Sequence, residues 1–214
     1  MKILIACEIS GIIREAFRKV GHEAYSCDLL DSEIPSKYHI KDDVLKHLEE
    51  SWDMMIAHPP CTHLCVSGAA WFKKKQKVQQ EALEFVRKLM NAPIMRICIE
   101  NPVSVISTQI KKPTQIIQPF DFGDPHQKTT CLWLKNLPQL DHTANLFDWQ
   151  NLSYSPRVEP QMVIMKNGKK MSKFHYDTFF LPKDVRGKVR SRTFQGIADA
   201  MASQWGELII NATH

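Results

Sequence analysis

The 214 residues carry 28 Lys and Arg against 23 Asp and Glu, a formal net charge of +5, which admits a polyanionic partner without demanding one. A hydrophobic content of 43% and a charged content of 24% fit a globular chain long enough for one substantial core and exclude a disordered or fibrous one. No apolar run approaches the ~20 residues that span a bilayer, and the first, Ile3 to Ala6, meets Glu8 at once, unlike a secretory leader. With no such leader, the six cysteines at 7, 27, 61, 65, 98 and 131 point to a reducing, cytoplasmic setting rather than a disulfide framework.

Lys2 to Ala6 reads as a buried strand closing on the tight turn Cys7-Glu8-Ile9-Ser10-Gly11. Ile12 to Val20 has helical spacing, with Ile13, Ala16, Phe17 and Val20 on one face and Gly21 at its end. Glu23 to Cys27 is a second strand with Asp28 at its carboxyl end. Strand, turn, helix, strand, acid is the order of a nucleotide-binding βαβ unit. Gly11 lets a ligand approach the backbone at a helix amino terminus, and Asp28 is placed to accept from ribose hydroxyls. One glycine stands where the dinucleotide fingerprint has three, so the unit by itself says only α/β. Asp31 to Tyr38 is a polar loop. Asp42-Asp43-Val44 precedes a short helix over 45–50, where an acid either caps the helix or reaches an adenine amino group.

Asp53 to Ala57 is a short buried strand stopped by Pro59 and Pro60, which fix φ and remove two backbone donors. The first reactive side chain beyond that rigid turn is Cys61, at the carboxyl end of a parallel strand, where open α/β sheets bind ligands. An inert, buried loop cysteine is the competing reading. Cys61 and Cys65 with His58 and His63 lack the second ligand pair of a zinc site. Ala70 to Lys77 carries Trp71, Phe72 and four lysines, a solvated helix face, a lid or a phosphate-facing patch. Glu81 to Met90 is an amphipathic helix. Met95 to Ile99 is a further strand, ended by Glu100-Asn101-Pro102. A carboxyl group buried there is expected to have a raised pKa and to donate a proton near neutrality.

Gln109 to Pro119 reads as a connector. Asp121 to Thr130 then leads into a short strand over Cys131 to Leu134, with His126 and Lys128 as electrostatic partners for an anionic substrate. From Asn136 to about Arg190 the pattern is irregular, with a hairpin turn at Asn167-Gly168. Lys183 to Arg192 is basic, and Arg186, Lys188, Arg190 and Arg192 are candidate phosphate contacts. Ile197 to Ile210 is a final helix with Ile197, Met201, Trp205 and Leu208 on one face.

In this order the motifs resemble those of the DNA cytosine-5 methyltransferases, and more closely the short methyltransferase-like proteins of phages and prophages. The opening strand, turn and helix, Ile3 to Gly21, match the part that holds S-adenosylmethionine, with Glu8, Ser10 and Gly11 in it. The ribose-binding acid falls on Asp28 and the adenine-side acid on Asp43, with Asp42 as the other choice. Pro60-Cys61 with Ser67-Gly68 matches the family's Pro-Cys loop, Glu100-Asn101 its Glu-Asn-Val, and Phe122 to Thr130 its Tyr-Gly-x-Pro-Gln-x-Arg-x-Arg stretch. The last motif falls on Phe194-Gln195-Gly196. The resemblance implies a Rossmann-like, S-adenosylmethionine-dependent methyltransferase fold: a core over 1–135, a reduced recognition-like insertion over 136–190, and a helix returning to the core over 191–214. It also implies catalytic roles for Cys61, Glu100 and Lys128, cofactor contacts from Glu8, Ser10, Gly11, Asp28, Asp43 and Pro60, and substrate contacts from Ser67, Asn101 and His126, to which the basic run adds Arg190 and Arg192.

The chain departs from the family in four places. Thr62 stands for the glutamine after the cysteine, Lys128 and Thr130 stand for the two arginines, the asparagine of the last motif is not evident near Gly196, and the recognition region is small. The expected activity is methylation of cytosine C5 in duplex or single-stranded DNA, with a free cytidine nucleotide as the other substrate class. An amino methyltransferase would need an aromatic where Cys61 stands, and a nucleic-acid-binding module would need neither Cys61 nor Glu100. A protein partner that completes target recognition is compatible with each of these readings.

Overall fold

The computed structural model describes residues 1–65, 76–142 and 157–208. Its strands are β1 (Lys2–Ala6), β2 (Glu23–Asp28), β3 (His39–Lys41), β4 (Met54–Ala57), β5 (Arg96–Pro102), β6 (Gln115–Ile117) and β7 (Thr130–Lys135). They form one sheet in the order β3-β2-β1-β4-β5-β7-β6. The first five run parallel, and β7 runs antiparallel to both β5 and β6. This is the Rossmann order 3-2-1-4-5-6 with a reversed strand between the fifth and sixth. The fold is Rossmann-like, as the sequence implied.

The central strands are apolar runs, not alternations, because helices cover both faces of a parallel sheet. On one face α1 (Ile12–Lys19) and α6 (Gln195–Gly206) close over Ile3, Ile5, Met54 and Ile56, with Phe17, Met201 and Trp205 fully buried between them. On the other face α2 (Gln76–Met90) and the one-turn α3 (Ile106–Gln109) bring Leu83, Val86, Leu89 and Ile106 into one cluster with Leu4, Met55 and Ala57. Among the described residues no helix is long and apolar enough to cross a membrane.

Several boundaries differ from the sequence reading. β3 and β6 were not expected; at three residues each they are too short to show a period. The helix expected over 45–50 is a single 3₁₀ turn, Val44–Lys46, capped by the Asp43 carboxylate, which accepts from Leu45 N–H at 3.0 Å. β5 does not stop at Ile99: Glu100, Asn101 and Pro102 pair with Leu132, Cys131 and Thr130 of β7. Val20 lies past the end of α1 and is exposed rather than on its core face. The hairpin expected at Asn167-Gly168 is present. It joins β8 (Met162–Ile164) to β9 (Lys170–Ser172) and is followed by α4 (Lys173–Phe179) and α5 (Lys183–Ser191).

Gly196, in the last matched motif, is where α6 crosses the turn that follows β6. A Cβ there would lie 1.8 Å from the Phe122 carbonyl oxygen, and its N–H donates to the Asp124 carboxylate at 2.8 Å. Only glycine fits this backbone approach, so the residue docks the last helix onto the segment that leads to Lys128.

Candidate active site

The carboxyl ends of β1, β4 and β5 open into one cleft, the place where open α/β sheets bind their ligands. Of the sequence candidates, Glu8, Ser10, Pro60, Cys61, Glu100, Asn101, Lys128, Arg190 and Arg192 line it. Gly11, Asp28, Asp43 and His126 do not, and Ser67 lies outside the described residues.

The Cys61 loop is clamped on both sides. His58 N–H donates to the Ala6 carbonyl at 2.9 Å, which ties the loop to β1, and Val105 N–H donates to the Leu64 carbonyl at 2.9 Å. The Asn101 amide donates to the Pro59 carbonyl at 2.7 Å, which joins the proline turn to the end of β5. Asn101 is expected as a substrate contact. The structure gives its Nδ2 a positioning bond and leaves its buried Oδ1 without a partner.

Glu100 corrects the sequence expectation. It is buried, which by itself raises its pKa. His58 Nδ1 donates to its Oε2 at 2.8 Å, and the charges of His58 and Lys128 outweigh burial, so the net shift is downward. Glu100 therefore rests as a carboxylate rather than as a neutral acid. His58 is the functional residue that sequence reasoning passed over except as a weak zinc ligand. Its signal was its place directly before Pro59-Pro60, at the end of the strand that delivers Cys61. Its Nε2 is buried without a partner.

Cys61 has the opposite bias. Burial raises its pKa, Cys65 and Glu100 raise it further, and Lys128 opposes them. The free protein accordingly holds a thiol here, not a thiolate. The iodoacetamide alkylation rate of Cys61 is expected to keep climbing with pH past 9, the ordinary thiol value, and Lys128→Gln should move that rise further toward alkaline pH. A plateau reached near neutrality, read by mass spectrometry of the Cys61 peptide, would show a thiolate activated by a group outside this set.

Lys128 Nζ donates to the Arg192 carbonyl at 3.1 Å and lies 5.7 Å from the Phe194 ring centroid, so the cation is held over the cleft by the chain that enters α6. The two arginines of the rim already have partners. Arg192 Nε pairs with Glu33 at 2.9 Å. Arg190 donates to Thr178 Oγ1 at 2.8 Å and to the His175 carbonyl at 3.0 Å. His126 sits behind the cleft, its ring 5.1 Å from Phe194 and 5.6 Å from Phe174, in an aromatic cluster rather than on the substrate side.

At the cofactor end the buried Glu8 carboxylate accepts from Ser10 Oγ at 3.1 Å and from the Ile13 and Arg14 N–H groups at 2.8 and 3.3 Å. It thus caps α1; burial raises its pKa, and His58 and these helix donors oppose the rise without cancelling it. Gly11 takes φ +75 at the start of that helix, and a Cβ there would lie 2.7 Å from the Arg14 guanidinium. Arg14, fully buried, donates to Ser26, Ser32 and the Ile34 carbonyl and so holds the segment after β2 against α1. Cys7 ends β1 in the left-handed region at φ 59. Burial pushes its thiol up, and Asp28 and Asp43 push it further, so the two acids stand along the same sheet edge as Glu8. The Asp28 carboxylate accepts from Leu30 N–H at 3.0 Å.

No family model matches the sequence, and no curated protein matches it. Among solved structures the chain is similar to a protein encoded within an E. coli prophage and provisionally assigned as a DNA modification methyltransferase, with 14% identity and a TM-score of 0.43. The match covers 85% of this chain and 55% of that one, so the chain spans just over half the length of that relative.

Proposed function

We propose that the protein is an S-adenosylmethionine-dependent methyltransferase acting on C5 of cytosine in DNA through a covalent Cys61 adduct. The supporting observation is that Cys61, Glu100 and Lys128, from three separate elements, line one cleft beside a carboxylate-rich sheet edge. That edge suits the cofactor. Glu8, Asp28 and Asp43 complement a sulfonium, an ammonium and ribose hydroxyls. Bound there, the cofactor supplies a methyl group activated by the sulfonium.

The residues of the chain do the rest. C5 of cytosine is a weak nucleophile; the Cys61 thiol gives its proton to solvent, and attack of the sulfur on C6 turns C5 into an enamine carbon as the C5–C6 π electrons move toward N3. The Glu100 carboxylate accepts from the 4-amino group, and the proton that neutralises N3 passes across the His58–Glu100 pair. Once C5 carries the methyl group, its proton leaves to solvent. The S–C6 bond then breaks and C5=C6 re-forms; the N3 proton returns across the His58–Glu100 pair, and Cys61 is released as a thiolate that regains its proton from solvent. Lys128, beside both Cys61 and Glu100, favours the thiolate during attack. In duplex DNA the base must first leave the stack, since C5 and C6 are not both reachable within it. In this reading 1–135 is the catalytic core, 136–190 a reduced recognition element and 191–214 a return to the core.

A free cytidine nucleotide is the second substrate reading, favoured by rim arginines already engaged within the protein. The test offers duplex DNA, single-stranded DNA and deoxycytidine monophosphate with labelled S-adenosylmethionine, followed by digestion and mass identification of the nucleoside. 5-Methylcytosine is expected, and the best substrate decides between polymer and nucleotide. N6-methyladenine or N4-methylcytosine would overturn the chemistry, and cofactor binding with no product on any substrate would point to a missing partner.

A further inference from the structure

Residues 157–192 hold ten Lys and Arg against three Asp and Glu. That segment is +7 in a chain of +5, so the remainder is slightly acidic and the basic charge is concentrated in one place. Half of these basic residues lie on the hairpin of α4 and α5. The base of this hairpin is fixed: Phe174 packs 5.2 Å from Phe194, and Arg190 of α5 reaches back to Thr178 and His175 of α4. Its tip is different. Phe179 and Phe180 are 62% and 68% exposed at the link between the helices, where turn chemistry favours small polar residues.

The two rings stand perpendicular, 5.6 Å apart, and Tyr176 meets Phe180 at 5.2 Å in the same T-shaped way; these edge contacts still leave both rings largely open to solvent. Arg186 lies 5.4 Å from the Phe179 ring centroid, and Lys183 and Lys188 are exposed on the same helix, with Asp184 its lone acid. The far end of α5 leads to Arg190, Ser191 and Arg192 on the cleft rim. Nine residues at ~1.5 Å each make about 13 Å from tip to rim, the rise of roughly four stacked nucleotides at about 3.4 Å.

We propose that the α4–α5 hairpin grips a single nucleic-acid strand, with Phe179 and Phe180 stacking on bases a few nucleotides from the one held at Cys61 and with Lys183, Arg186 and Lys188 on phosphates. Exposed ring faces recognise base faces, which a single strand offers and a duplex hides within its stack. The position of the target base rests on the methyl-transfer reading; the grip itself does not.

The experiment measures anisotropy of the full-length protein with a labelled cytosine-containing 12-nucleotide strand and with the matching duplex. Stacking worth ~1–3 kcal/mol per base predicts that Phe179→Ala/Phe180→Ala weakens strand binding about 10-fold or more, with helix content unchanged because both rings are exposed, and that the double Trp variant keeps the affinity. Lys183→Ala and Lys188→Ala should each reduce the slope of log K against log salt by about 0.7. Cys61→Ser should bind the strand normally, which separates this surface from the chemistry. If the Phe variant loses the strand while the wild type transfers no methyl group, the grip stands and the catalytic reading falls. Unchanged strand affinity in the double Ala variant would overturn the proposal and leave the tip as a protein contact, and tighter wild-type binding of the duplex would overturn it as well.

Discussion

Cys61→Ser is expected to abolish methyl transfer, by at least ~10³-fold, while leaving the fold and cofactor affinity intact. The size follows from the division of labour in the cleft. Glu100 and Lys128 polarise the ring, but neither can make C5 nucleophilic; only a covalent bond at C6 does that. Serine keeps the volume of the side chain but is far less acidic than a thiol, and burial here opposes even the thiolate. The loop needs no sulfur for its shape, since its clamps come from Asn101, Val105 and the His58 backbone. A 5-fluorocytosine strand makes the test specific. After transfer, C5 carries a methyl group and a fluorine and has no proton to lose, so elimination stops and Cys61 stays bonded to C6. The wild type should give a denaturation-resistant complex of protein plus strand by mass, and Cys61→Ser none. Transfer that survives in Cys61→Ser would make the thiol a loop residue and return the reaction to an amino group.

What the sequence made legible were proline-stopped strand ends. Pro59-Pro60 and Pro102 leave fixed φ values and missing donors in plain view, and the residues beside them, Cys61 and Glu100, do converge on one cleft. The parallel core was equally plain, because strands buried on both faces are unbroken apolar runs. What depended on the fold was less accessible. The charge state of Glu100 is set by His58, 42 residues away in sequence, and burial alone gave the wrong direction. Arg14 reads as a polar interruption of the α1 stripe until Ser26, Ser32 and the Ile34 carbonyl close around it. Glu8 was expected at the cofactor and faces the cleft, but its oxygens also cap α1. Asp43 had two local readings, and its bond to Leu45 N–H shows the cap.

Replacing His58 is expected to reverse the pH dependence that Glu100 contributes to stability. In the native protein burial raises the Glu100 pKa, but His58 and Lys128 lower it more. The group then contributes stability that is present above its unfolded pKa and lost as pH falls through the lower native value. His58→Gln removes the larger of the two opposing partners and leaves a buried carboxylate with only the smaller influence of the Lys128 charge. Its native pKa should rise above the unfolded one. The variant is then destabilised as pH rises through that raised value, by about 3–5 kcal/mol at neutrality, the usual consequence of stranding one member of a buried pair. Urea midpoints between pH 5 and 7.5 should therefore fall more steeply with pH in His58→Gln than in the wild type, where the buried Glu8 already carries a raised pKa. Glu100→Gln, which has no charge to strand, should show no such steepening, yet should lose about 10²–10⁴-fold in transfer, the range of general acid–base assistance. The two variants separate support from chemistry. If His58 only holds the strand ends together, transfer in His58→Gln will recover fully wherever the variant is folded. If it passes the proton that neutralises N3, transfer will stay depressed in fully folded protein, and only a lower pH, which loads Glu100 directly, will restore part of it.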